Sequence, residues 1–361
     1  MPGVPRPPSL PGMTDLPCFH APDTDAHDPQ FWMLRGVPLP NKETAERARR
    51  LLDGIAAAGL TVKDAPVTDR AAMHRIHTPR YLRFLETAWE EWQQAPGAGA
   101  EVVANLHPQK AHQTYPSGIT GRAGWHMADT GCPLGRHTWA AALRGVDTAL
   151  AAVAAVMQGA GAAYALCRPP GHHADADTAA GHCFLNNSAI AAEALRAAHD
   201  RVAVLDIDVH HGNGTQEIFY DRADVLTLSV HADPDAFYPF YLGHAHETGT
   251  GAGEGFNLNL PLPLGSGDAP WLDAIDRALE RVRDHRAGAL VLALGLDAHE
   301  NDPFRGLTVT TPGFARAAAR IRALGLPTVI VQEGGYLSED LTHNLAAFLR
   351  GWQGRDWNAR G

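Results

Sequence analysis

Residues 201–216, RVAVLDIDVHHGNGTQ, hold the densest chemistry in the 361-residue chain. Val202 to Leu205 is an apolar run of the kind that forms a buried parallel strand. Asp206, Asp208 and His210 follow at i, i+2 and i+4, and so share one face if the strand continues. Carboxylates held that close repel, and burying them is costly unless a cation or donors sit among them. Gly212 and Gly214 open a turn into a helix read from Thr215, which puts the cluster at a strand's C-terminal end. In open α/β sheets that is where ligands bind. Either acid alone reads as a helix cap and either histidine alone as a packed core residue. Two Asp and two His between 206 and 211 read as a metal site.

Other apolar runs end in the same way. AAYALC (162–167) runs into Pro-Pro-Gly and then His172–His173, ALVLALGLD ends on Asp297, and PTVIVQEGGY ends on Tyr336 after two glycines. In a parallel sheet these ends lie along one edge, so the groups converge. Asp208, His210 and Asp297 offer two carboxylates and one imidazole and leave coordination positions open, the pattern of a catalytic metal. Oxygen and nitrogen ligands without thiolate suit Zn²⁺, Fe²⁺ or Mn²⁺, with Zn²⁺ the default. Such an ion polarises a carbonyl and acidifies a water, and needs a base and an oxyanion donor beside it. His172 and His173 are candidates for the base, and Tyr336 for the donor. Asp206 is placed to hold one of the histidines and raise its basicity.

Around these ends, helices are read over 41–60 (capped by Asn41), 73–94 (interrupted near Pro79), 137–159, 188–199, 268–286, 312–324 and 340–349. Strands are read over 225–231 and 256–264. Strand and helix alternate without a break in composition, which predicts a single α/β domain with a mainly parallel sheet. Its span is 18–361, after a flexible Pro-rich arm over 1–17. Residues 95–125 read as a long ordered loop near the site or at a dimer contact, carrying Tyr115 and Trp125. From Val102 to Ala128 there is no Asp or Glu. His74 and His77 read as solvated or packed.

A net charge of −10 argues against non-specific nucleic-acid binding, which needs a basic surface. No run is read as approaching the ~18 apolar residues of a membrane span. The four cysteines, Cys18, Cys132, Cys167 and Cys183, have no CxxC spacing, and no apolar leader precedes them. They read as reduced thiols of a cytoplasmic protein.

RPPGHHA (168–174), GHCFLNN (181–187), LDIDVHHGNGTQ (205–216), LGLDAHENDP (294–303) and EGGY (333–336) occur in the order seen in the histone deacetylase superfamily. The chain resembles that superfamily over roughly 25–350. The resemblance implies an arginase-like three-layer α/β fold, with a sheet of about eight strands flanked by helices, and a metal-dependent amide hydrolase. By position it implies Asp208, His210 and Asp297 as zinc ligands, His172 and His173 as the tandem histidines with His173 the general base, and Tyr336 as the carbonyl-polarising tyrosine. Asp206 is then the partner of His172. Asn213 stands where some branches carry Asp. A structural potassium is implied at Asp206, Asp208, His210, Ser229 and Val230.

MADTGCPLGRHTW (127–139), FYPFYLG (237–243) and the long loop before 126 resemble the bacterial acetylpolyamine amidohydrolase branch. That branch implies a homodimer whose loop narrows a channel for slender acetylated amines. Gly181, His182 and Tyr238 match positions that line the channel, and Phe304 lies near its rim. Two features depart from the pattern. His182 stands where Phe or Tyr is usual, and the acid-free 102–128 stretch, which adds Lys110 and Arg122, offers nothing to a cationic tail. Glu101, Asp233, Asp235 or a partner subunit are the remaining sources of charge.

Three other functions fit parts of the pattern. A protein acyl-lysine deacylase shares the chemistry but needs an open channel. An arginase-like ureohydrolase needs a two-metal site; DAHEN (297–301) has Asn301 where that family's pattern has Asp, and tandem histidines have no place there. A non-catalytic sensor derived from the enzyme is the third, although every catalytic position is filled.

Overall fold

The computed structural model describes residues 16–108 and 112–358. The arm read over 1–17 therefore falls largely outside the described residues, as does Lys110. Leu16 is 3% exposed and packs in the core, so the domain begins before residue 18.

In chain order the elements are β1 (Cys18–His20), β2 (Phe31–Leu34), β3 (Val37–Pro40), α1 (Ala45–Ala57), β4 (Val62–Asp64), α2 (Ala71–Ile76) and α3 (Pro79–Gln93). Then come α4 (Ile119–His126), α5 (Thr138–Met157), β5 (Ala162–Leu166), α6 (Asn187–Leu195), β6 (Val202–Asp206), α7 (Asn213–Phe219) and β7 (Val225–Ala232). The chain closes with β8 (Asn257–Leu262), α8 (Asp268–His285), β9 (Ala289–Leu294), α9 (Thr311–Arg322), β10 (Thr328–Gln332) and α10 (Leu341–Trp352).

Eight strands form one parallel sheet in the order β4-β1-β5-β10-β9-β6-β7-β8. Alternation along each central strand sends side chains to two apolar layers. Ala203 and Leu205 of β6, Leu290 and Leu292 of β9 and Ile330 of β10 face one layer with residues of α1, α8, α9 and α10. Val202 and Val204, Ala289 and Val291, and Val329 and Val331 face the other with residues of α2, α3, α5 and α6. The three-layer α/β domain is therefore present.

Several local expectations change. Asn41 does not cap α1. Its Oδ1 accepts from Glu43 N, and Thr44 holds the N-cap position. The 95–125 segment is not loop throughout, because it ends in α4 and Val102 bridges Leu134. β1 and β4, three residues each, and the β2–β3 hairpin were not read from the sequence. Contrary to the expectation that no run approaches a membrane span, α5 has the length and apolarity of one; 67% of its most apolar window is buried inside this fold. The four cysteines are buried, and among the described residues none forms a disulfide.

Candidate active site

The sequence expected β6 to carry Asp206, Asp208 and His210 on one continuing face. The strand instead ends at Asp206, and the chain turns back through short-range bonds. Asp208 N donates to Asp206 Oδ1 (3.0 Å), and His210 N donates to Asp208 Oδ1 (2.9 Å). Each carboxylate thus fixes the backbone two residues on, an Asx turn. From the end of β9, Asp297 Oδ1 accepts from Val209 N at 3.0 Å. From the end of β10, Gly334 N donates to Asp208 Oδ2 at 2.8 Å. A Cβ on Gly334 would overlap the carboxylates of both Asp208 and Asp297, and one on Gly295 would overlap Asp208. Glycine at these two positions lets the backbone close on the acids.

The result is a buried group in which Asp208, His210 and Asp297 bring ligand atoms within 4.8 Å of one another. His210 Nδ1 lies 3.0 Å from Asp208 Oδ1 and 3.2 Å from Asp297 Oδ2. Among the described residues, the buried Asp297 Oδ2 receives no well-aligned hydrogen bond; its neighbour is the His210 ring nitrogen. Two buried carboxylates converging on one ring nitrogen, one of their oxygens without a well-aligned donor, is the arrangement a cation resolves. The donor set fits a divalent metal ion. Burial raises the Asp297 carboxyl further, and the neighbouring Asp208 adds to the shift.

The tandem histidine rings lie with centroids 4.0 Å apart, tilted by 41°, yet their second nitrogens face different partners. His172 Nδ1 lies 2.8 Å from Asp206 Oδ2, while His173 Nδ1 lies 2.7 Å from the side-chain oxygen of Asn213. Burial opposes the charge on His172, but Asp206 and Asp208 outweigh it and push the imidazole up to about 10. Burial holds His173 well below the usual histidine range, and the charge of neighbouring His172 and His210 adds to the fall. Two adjacent imidazoles are thus driven in opposite directions.

Tyr336 follows Gly335, whose φ of +110° lies in the region that favours glycine. Tyr336 N donates to Asp302 Oδ2 at 2.9 Å, and its ring meets Phe304 edge-on at 4.7 Å. Burial raises its hydroxyl well above the usual range, so it stays a donor. Behind this turn lies Arg47 of α1, 1% exposed, which sequence reading passed over. Its Nε donates to Gly335 O at 2.5 Å and its Nη2 to Glu333 O, and its guanidinium carbon is 5.4 Å from the Tyr336 ring centroid. Glu43 binds Arg47 and also Arg168. Arg47, Leu51 and Ile55 share one helix face at i, i+4 and i+8, the spacing that could have exposed it.

Aromatic side chains wall the approach. Tyr238 stands edge-on to His173 at 5.0 Å, and Phe237 stacks on His210 at 5.0 Å. Phe304 meets His210 at 5.2 Å, and His182 lies 5.8 Å from Tyr336. Trp32 of the hairpin, also unread in the sequence, contacts both His182 and Phe304. His182 has φ +69°, and burial pulls its imidazole down to about 4, so this wall residue is neutral at physiological pH. Gly181, at φ +47°, leaves no room for a Cβ, which would strike the His173 ring.

The other expected residues lie as follows. Asp206 and Ser229 are register partners across β6 and β7, and Val230 is buried beside them. The Ser229 hydroxyl lies 2.8 Å from His231 Nδ1. Glu101 is buried and accepts from Gln30 N, and Asp235 is exposed. Arg122 is paired with Glu91. His77 is packed, accepting from Asn186 N at 3.0 Å, whereas His74 is exposed. A second group, His172, Cys183 and Glu333, also brings ligand atoms together. Glu333 there is already satisfied by Gly171 N, His172 N and the Ser188 hydroxyl, so the group reads as packing.

Residues 41–352 match the family model of the histone deacetylase domain. The chain is 48% identical over 338 residues to an acetylpolyamine amidohydrolase of Burkholderia pseudomallei (strain 1710b), covering 93% of this chain and 98% of the relative. It is 40% identical over 339 residues to acetylpolyamine amidohydrolase 2 of Pseudomonas aeruginosa, covering 93% and 98%. A crystal structure of acetylpolyamine aminohydrolase from Burkholderia pseudomallei superposes with a TM-score of 0.90 at 47% identity, covering 94% of this chain and 98% of that one. With its matched domain and these full-length relatives, the chain belongs to the histone deacetylase family.

Proposed function

We propose that this chain, a hydrolase of linear amide bonds, removes the acetyl group from small acetylated amines. The observation that carries the reading is the convergence of Asp208, His210 and Asp297 beside the tandem histidines and Tyr336, under close aromatic walls. The names of the full-length relatives support the same substrate class.

In this reading Asp208, His210 and Asp297 hold a divalent ion, Zn²⁺ by choice of donors with Fe²⁺ the alternative. That ion, when bound, supplies Lewis acidity toward the amide carbonyl and lowers the pKa of a water. His173 is the general base. Its Nδ1–H is committed to the neutral Asn213 oxygen, which leaves Nε2 as the acceptor for the water's proton. His172, held by the Asp206 carboxylate, remains the charged neighbour. Tyr336 donates its hydroxyl proton as a hydrogen bond to the oxyanion that develops on the carbonyl. His173 then returns its proton to the leaving nitrogen as the C–N bond breaks, giving acetate and a free amine.

Asp206, Asp208, His210, Ser229 and Val230 are the proposed potassium set, and the working unit is proposed to be a cytoplasmic homodimer. Exposed apolar side chains support a pairing surface: Met33, Leu34 and Val37 on the hairpin, Leu106 in the long loop, and Phe240 and Tyr241 after the channel tyrosine. Turnover of matched acetylated amines and an acetyl-lysine peptide by metal-loaded protein tests the substrate class. Preference for the peptide would favour a protein deacylase.

A further inference from the structure

The 102–128 stretch offers no acid to a cationic substrate, and the first acid after it is Asp129. Asp129 is half-buried at the channel wall. Its Oδ2 accepts from the Tyr238 hydroxyl at 2.6 Å and from Gly181 N at 3.2 Å. Its Oδ1 accepts from Gly131 N at 2.7 Å and from Gly181 N at 3.3 Å. Tyr238 stands against His173, and a Cβ on Gly181 would lie 3.0 Å from the Tyr238 hydroxyl oxygen. Asp129 is therefore one hydrogen bond behind the surface a substrate passes.

The acids around the metal group and the tyrosine turn are committed. Asp208 and Asp297 face His210, Asp206 holds His172, and Glu43 binds Arg47 and Arg168. Asp302 holds the backbone of Phe304 and Tyr336, and Glu333 is met by three donors. Among the described residues, the donors to the Asp129 carboxylate are neutral: two backbone amides and a phenol. Its charge is anchored but not cancelled. A phenol that donates to a carboxylate becomes a stronger acceptor through its own oxygen, because bonds in a chain polarise one another. The Asp129–Tyr238 couple thus presents negative potential in a channel otherwise walled by aromatic rings and a neutral histidine, and a narrow, low-dielectric channel strengthens such a field.

We infer that Asp129, acting through Tyr238, is the specificity residue that selects acylated amines carrying a second, cationic amine. The inference rests on the proposed deacetylation of small amines and names its charge requirement. Asp129 is a positioning residue: it orients Tyr238 and supplies charge, and takes no proton in the chemistry.

The test is steady-state kinetics of the metal-loaded enzyme and its Asp129→Asn variant on two substrates of equal length. One is N-acetylputrescine; the other is N-pentylacetamide, in which a methyl replaces the ammonium. Asparagine keeps the shape and an oxygen for the Tyr238 hydroxyl while removing the charge. The expected result is a wild-type preference for the cationic substrate that falls about tenfold in the variant through KM, with N-pentylacetamide changed less than threefold. An equal loss on both substrates would assign Asp129 a purely structural role and overturn the inference, as would a preference unchanged in the variant. In both of those cases the deacetylase reading stands. A wild-type enzyme that hydrolyses neither substrate would overturn that reading and this inference together.

Discussion

His173 Nδ1 lies 2.7 Å from the side-chain oxygen of Asn213, a neutral amide where the adjacent His172 has a carboxylate. The difference sorts two adjacent imidazoles into a free base and a cation. Replacing Asn213 by Asp would put a negative charge against His173 and favour its protonated form. Because the base must be neutral to accept a proton, the acid limb of the kcat/KM–pH profile should move up by about one unit or more. A profile that does not move would remove His173 from the role of base.

Tyr336→Phe deletes one hydroxyl and keeps the ring that packs on Phe304. Loss of a single oxyanion donor costs roughly 10²–10³ in kcat. KM, metal content and Tm should stay close to wild type. Full activity in this variant would mean that Tyr336 does not polarise the carbonyl.

Arg47→Met fills similar volume but strips the donors from Gly335 O and Glu333 O and the ion pair from Glu43. Breaking a buried pair leaves unpaired polar groups, so stability should fall by about 3 kcal/mol in urea unfolding. Because the same bonds hold the turn before Tyr336, kcat should fall with it. A stable variant with lowered kcat would separate the two effects; a variant unchanged in both would show that the turn holds itself.

His77 is packed in the fold, and burial lowers its imidazole to about 4 from the usual 6.5. The folded state keeps it neutral while the unfolded chain takes up a proton below 6.5. Its contribution is therefore intact above pH 6.5 and is lost as pH falls towards 4. At pH 5 the loss is about 2 kcal/mol relative to neutral pH. His77→Gln keeps an acceptor for Asn186 N and removes the titration, so the fall in urea midpoint between pH 7.5 and 5 should be smaller in the variant. An equal fall would place the acid sensitivity elsewhere, for example at His27, which burial lowers to about 3.

Much of the site was legible because its residues break a rule of their surroundings. Asp206, Asp208, Asp297 and the tandem histidines end apolar strands, where a charge needs a reason. Their convergence follows from a parallel sheet, which puts every such end on one edge. Other parts left no such mark. β1 and β4 are three residues long, too short for a period to show. Trp32 reaches the channel only because the hairpin folds over it. Arg47 reads as one more surface charge unless its place on the Leu51–Ile55 face is noticed. Asp129 is a single acid, and its meaning depends on Tyr238, more than a hundred residues away.

The most direct measurement is kcat/KM of the zinc-loaded protein on N-acetylputrescine and on an acetyl-lysine peptide, before and after a chelator. At least a tenfold preference for the amine is expected, lost on chelation and restored by added zinc. Chelator-resistant turnover or a preference for the peptide would contradict a metal-dependent deacetylase of small amines.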